Sequence, residues 1–156
     1  IHMTHASKSD LQATAKKTGG IVICPRANSS LAEGIPDIEK MQNAGCLLAL
    51  GTDNVMINSP DIFREMDFLW KVTMGIKKKR IDPKNILKMA TVNGGKILKK
   101  DIGIIQNKKI ADCIFLDKHA LDLEPMHNPY ASIVHRASES TIKAVMIEGK
   151  IVHGKI

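Results

Sequence analysis

Aromatic residues are nearly missing from this chain. It holds one Trp, one Tyr and three Phe, 3% of its residues. Modules that grip single-stranded nucleic acid stack bases on rings set among cations. The basic stretches here, Lys77-Lys78-Lys79-Arg80 and Lys96, Lys99, Lys100, Lys108 and Lys109, contain no ring. The formal charge of +7 therefore reads as solvated helix ends and loops, and a nucleic-acid partner is disfavoured. Cysteine is scarce too. Cys24, Cys46 and Cys113 are odd in number and form no CxxC pair, which argues against a disulfide framework. They are expected to be reduced core residues of a cytoplasmic protein. No apolar run is long enough to span a membrane, and the start lacks the regions of a signal peptide. Internal repeats and low-complexity segments are also missing.

What is present suits one sizeable core. The chain has 156 residues, 44% hydrophobic and 25% charged, ordinary values for a globular domain. Eight Met take up core volume that rings would otherwise fill. Asp10 to Lys17 is a short helix candidate with Ser7 or Ser9 as cap, ended by Gly19-Gly20. Ile21–Cys24 is a buried strand stopped by Pro25, followed by a polar loop, Arg26 to Ser30. Pro36 fits the first position of a helix carrying Ile38 and Met41, with Gly45 just past its end. Leu47–Leu50 is a second buried strand. Ser59-Pro60-Asp61 reads as cap, N1 proline and first-turn acid. The stripe Ile62, Phe63, Met66, Leu69 and Trp70 then marks an amphipathic helix. Asp82-Pro83 opens another helix with Ile86, Leu87 and Ala90 inward, and Asn93-Gly94 either caps or breaks it before Ile97-Leu98.

This β/α alternation implies parallel strands with right-handed crossovers. The last third changes character. Lys109–Leu116 and Thr141–Ile147 read as strands, and Glu148-Gly149-Lys150 as a hairpin turn into Ile151–His153. Between them, residues 119–130 read as loop, followed by a short helix over Ala131–Arg136. Only two or three parallel strands are in view, whereas a closed α/β barrel has eight. The expected fold class is α/β: the C-terminal part of a TIM-like barrel over residues 1–100, then β-rich strands of a small sandwich over residues 101–156.

Within this order Asp53 stands out. The run Leu47-Leu48-Ala49-Leu50-Gly51-Thr52-Asp53-Asn54 delivers one carboxylate to the C-terminal end of a buried strand, where barrels keep their chemistry. A turn or helix-cap role for the same Asp is open as well.

Five motifs occur in sequence: His2-Met3-Thr4-His5, Cys24-Pro25-Arg26-Ala27-Asn28, Gly34-Ile35-Pro36, Leu50-Gly51-Thr52-Asp53 and Met89-Ala90-Thr91-Val92-Asn93-Gly94, with Lys109-Ile110-Ala111-Asp112 near the tail. Together they resemble the C-terminal half of the amidohydrolase superfamily, in the branch holding cytosine deaminase, deaminases of adenosine derivatives and triazine chlorohydrolases. The resemblance implies that Asp53 binds a divalent metal, zinc or iron, and takes a proton from the hydrolytic water. Bound metal brings water's pKa toward neutrality, and a carboxylate beside it completes the deprotonation. His2 is implied to orient or polarise the substrate, and Asn28 to line its pocket.

Departures from the family pattern limit this. The His-x-His metal motif, a further ligand His and the acidic proton donor are absent. Zinc wants three protein ligands and an open position, so the chain alone is expected to hold no catalytic metal. Arg26 stands where small residues are common. It either meets an anionic group on the substrate or pairs with Glu33 or solvent. Asn54, where relatives often carry Gly, either bonds substrate or holds a left-handed turn. The implied parent is a metal-dependent hydrolase of a small molecule, a deaminase of a purine, pyrimidine or related amidine. The alternative is a non-catalytic truncated paralogue completed by a partner. A barrel cut to these strands would expose strand edges and the apolar inner faces of Ile21–Cys24 and Leu47–Leu50. Self-association, or docking on the missing N-terminal half, is therefore expected.

Overall fold

The computed structural model describes residues 1–17, 20–78 and 80–156. Gly19 of the expected helix stop and Lys79 of the basic cluster lie outside them. In chain order the elements are α1 (Lys8–Lys17), β1 (Gly20–Ile23), α2 (Pro25–Ser30), α3 (Ile38–Asn43), β2 (Leu47–Leu50), α4 (Ile62–Lys77), α5 (Pro83–Ala90) and α6 (Val92–Leu98). There follow β3 (Cys113–Leu116), α7 (Pro129–Arg136), a 3₁₀ turn (Glu139–Thr141), β4 (Ile142–Ile147) and β5 (Lys150–Gly154).

The strands form two sheets. β1 and β2 run parallel, in register from Gly20 opposite Leu47 to Ile23 opposite Leu50. The second sheet is antiparallel in the order β3-β4-β5. Both orientations agree with the reading of β/α alternation first and hairpin last. Glu148 and Gly149 close the β4–β5 hairpin with φ of 50° and 77°, the left-handed pair that suits a tight hairpin.

Start signals place most helices. Asp61, Asp82 and Asn128 are N-caps whose side chains accept from the first free backbone N–H groups, and Pro follows two of them at N1. Several details differ from expectation: β3 begins at Cys113 instead of Lys109, and α7 begins at Pro129 instead of Ala131. Arg26–Ser30 is helical, because Pro25 sits at the first position of α2 and opens it as well as ending the strand. α3 is capped by Asp37, so Pro36 lies one residue outside. Asp61, not Ser59, caps α4, because its carboxylate reaches the N–H groups of Phe63 and Arg64. The break between α5 and α6 falls at Thr91, with φ −130° and ψ −100°, and leaves Asn93 and Gly94 inside α6.

The main core sits between the β1–β2 sheet and its helices. It joins Leu11, Ile21, Ile23, Ile38, Met41, Leu48, Met66, Leu69, Ile86 and Met89. The amphipathic stripe of α4 is its roof, with Phe63, Met66 and Leu69 buried. α7 packs on α4 and α5 and adds Val134. Ile21, Ile23, Leu48 and Ala49 are buried. The helices cover the face bearing Ile21, Ile23 and Leu48, while Val22 and Leu47 on the opposite face are half-buried. Exposed apolar side chains are spread over the chain, with Ile114, Ile147, Ile151 and Val152 on the antiparallel sheet and Val55 and Met56 just after Asp53.

Candidate functional site

Parallel strands end on the same side of their sheet, and side chains just past those ends converge. β1 delivers Cys24 and α2 to that side; β2 delivers Gly51, Thr52 and Asp53. The N-terminal segment joins them, because the backbone N–H of His2 donates to the carbonyl of Val22 at 2.9 Å. Gly51 is dictated by close approach. A Cβ there would stand 2.9 Å from Val22 Cγ1 and 3.4 Å from Cys24 Sγ.

Asp53 adopts φ 57°, the left-handed region that costs L-residues energy and that Asp tolerates better than most. Its Oδ2 lies 3.6 Å from His2 Nε2, and both side chains are about one-third exposed (30% and 34%). Asn28 is fully buried. Its Oδ1 lies 2.8 Å from His2 Nδ1, and its Nδ2 donates to Thr4 Oγ1 at 2.5 Å. A continuous series of contacts thus runs from Thr4 through Asn28 and His2 to Asp53.

The other expected residues take different places. Arg26 reaches α4 and the loop before it. Its Nη1 lies 3.4 Å from Glu65 Oε1 and donates to the Ser59 carbonyl at 3.2 Å. Its backbone N–H donates to Glu65 Oε2 at 3.2 Å. Glu33 is not the observed partner. Asn54 is exposed, and its Oδ1 accepts from the Met56 N–H at 2.8 Å. The left-handed residue of this turn is Asp53, so the alternative that gave Asn54 that role is corrected.

Glu65 escaped the sequence reading although a signal was there. It falls on the inward arc of the Ile62–Trp70 stripe, and a carboxylate on a buried face calls for a partner. Burial pushes its carboxyl above the usual range; the Arg26 N–H and guanidinium oppose that shift. Burial, reinforced by the nearby charges of Asp53 and Glu65, pushes the Cys24 thiol up to about 11. Beneath Asp53 the sulfur therefore stays a protonated packing group at neutral pH.

Among the described residues no three His, Cys, Asp or Glu side chains gather to hold a metal ion. Asp53 and His2 offer two donors, fewer than a divalent catalytic site takes from protein. The residues present do not by themselves fit such an ion. A separate cleft of about 620 Å³, lined by Ile35, Pro36, Thr73, Ile76 and Ile81 among others, lies between α3, α4 and α5, and none of the expected site residues lines it.

The chain is similar to known proteins. A protein of Methanothermobacter thermautotrophicus that carries a provisional aminohydrolase name is 38% identical over 97% of this chain and 38% of its own length. The 5-methylthioadenosine/S-adenosylhomocysteine deaminase of Teredinibacter turnerae is 33% identical over 96% of this chain and 35% of its own. The crystal structure of an adenosine deaminase from Xanthomonas campestris with bound zinc superposes with a TM-score of 0.89 at 28% identity, over 96% of this chain and 35% of that one. The chain therefore spans little more than a third of the relatives it matches. The amidohydrolase family profile covers residues 1–152, and with these likenesses it establishes that the chain belongs to the amidohydrolase family.

Proposed function

We propose that this chain is the C-terminal part of a metal-dependent amidohydrolase that removes an amino group from a purine, a pyrimidine or a related amidine. In this reading residues 1–100 belong to the hydrolase barrel and residues 101–156 to a composite sandwich. The observation that carries it is Asp53, held left-handed at the C-terminal end of β2 with His2 Nε2 3.6 Å from its carboxylate, in a family whose relatives here include deaminases. Deamination needs a water to lose a proton as it attacks the ring carbon and the leaving amine to gain one. Asp53 is the acceptor for that proton. His2 stands beside it and orients the attacked group. Asn54 presents its exposed amide to the substrate, and Arg26 offers the N–H groups not held by Glu65 or Ser59 to an anionic substituent. Zinc or iron belongs to this site only with further donors from outside the chain, Asp53 adding one carboxylate. The bond from the His2 N–H to Val22 on the open edge of β1 supports further strands completing the sheet there.

The test is Asp53→Asn in the full-length protein, with ammonia release measured from aminopurines and aminopyrimidines. Asn tolerates the left-handed conformation, so the fold should persist. Turnover should fall by about 10²–10⁴-fold, the usual contribution of a positioned acid or base. Near-native turnover would remove Asp53 from the chemistry.

A further inference from the structure

We propose that Asn28 is a positioning residue that sets the tautomer of His2, making Nε2 a hydrogen-bond acceptor beside Asp53. The resemblance gave Asn28 a place in the pocket wall, but the side chain is fully buried and both ends of its amide are engaged. The donor end, Nδ2, is on Thr4 Oγ1 at 2.5 Å. That leaves the acceptor end, Oδ1, facing His2 Nδ1 at 2.8 Å. An oxygen with no hydrogen demands an N–H opposite it. Nδ1 therefore carries the hydrogen, and in the neutral ring Nε2 is left with its lone pair.

Nε2 lies 3.6 Å from Asp53 Oδ2, so with the ring in this neutral tautomer two acceptors stand side by side. A group bearing two hydrogens satisfies both: a water molecule, or the primary amino group of an aminated heterocycle. A carbonyl oxygen or a ring nitrogen without hydrogen would meet two lone pairs. The choice of an amino group as ligand rests on the proposed deamination. The tautomer rests on geometry alone. Thr4 is part of the device, since its hydroxyl accepts the Asn28 N–H and so orients the amide.

The test is long-range ¹H–¹⁵N correlation NMR of the imidazoles in this chain at alkaline pH, with the His2 signals assigned by their loss in His2→Gln. The expected native spectrum has a pyrrole-like Nδ1 and a pyridine-like Nε2. In Asn28→Leu, which removes the acceptor, the two resonances should exchange character toward the Nε2–H form that free histidine favours. In Asn28→Asp, which keeps an acceptor oxygen, the native pattern should remain, a rescue that a purely space-filling Asn28 would not produce. A pyrrole-like Nε2 in the native chain overturns the proposal, as does an Asn28→Leu variant with the native pattern. If circular dichroism shows Asn28→Leu unfolded, the native spectrum and Asn28→Asp decide it, and loss of the Nδ1–H form in Asn28→Asp overturns it. These outcomes are separate from the fate of the deaminase reading. Full turnover in Asp53→Asn would end that reading and leave the His2 tautomer untouched.

Discussion

The buried ion pair behind Asp53 ties the two strand ends together. Glu65 is completely buried and the Arg26 side chain is 15% exposed. One carboxylate holds the first turn of α2 through the Arg26 N–H, while Arg26 Nη1 grips the Ser59 carbonyl in the loop after β2. α2 carries Asn28, so the orientation of His2 depends on this clamp. Such a pair adds little net stability over a well-packed apolar substitute, but removing one partner strands the other charge. Glu65→Ala should therefore destabilise the fold by about 3–5 kcal/mol in urea unfolding. Glu65→Gln should cost clearly less, because its amide oxygen can still accept the Arg26 N–H. Equal losses for the two variants would show that the acceptor oxygen contributes nothing and that charge alone holds Arg26.

At the scale of elements, α7 is braced against α4 by a ring and a carboxylate. Trp70 and His135 meet edge to face with centroids 4.2 Å apart, and His135 Nδ1 lies 3.8 Å from Asp67 Oδ1. Burial lowers the His135 pKa first of all; Lys71 lowers it further, and Asp67 works against both. The neutral ring is thus the form that packs here. The unfolded chain takes up a proton at an ordinary histidine pKa, and the folded chain resists until lower pH. The unfolded state then binds more protons in that window, so stability is full above the ordinary value and declines as pH falls through it. His135→Phe keeps the ring contact and removes the titration. Thermal unfolding followed from about pH 8 to about pH 5 should show a shallower acid decline in His135→Phe than in the parent. Parallel declines would assign the acid sensitivity to other groups.

At the scale of the whole molecule, uncovered surface is the dominant feature. β1–β2 is a two-stranded sheet, and open strand edges pair readily with other chains. Ile114, Ile147, Ile151 and Val152 leave apolar area exposed on the antiparallel sheet, and Ile105 and Leu121 are more than nine-tenths exposed. Patches of this kind mark interaction surfaces. We expect the 156-residue chain to self-associate, or to dock on the further strands of the proposed barrel where these are supplied. Sedimentation at dilute concentration, with intact mass measured on the same sample, checks this. A stable 17.1 kDa monomer that binds no hydrophobic dye would count against a cut barrel.

The sequence by itself determined the elements whose signals are local. The apolar run Leu47–Leu50 became β2 without shift, Asp82-Pro83 opened α5 as cap and N1, and Glu148-Gly149 turned the last hairpin. It also marked Asp53, because a carboxylate that follows a buried run must emerge at the strand's end. Only the tertiary structure decided what each polar side chain faces. Arg26 turned from solvent to Glu65 because an inward carboxylate on α4 had to be neutralised. Asn28, carried on helical α2, has its amide buried between Thr4 and His2. Those partners lie 24 and 26 residues away in the chain, and no local pattern records a contact at that separation.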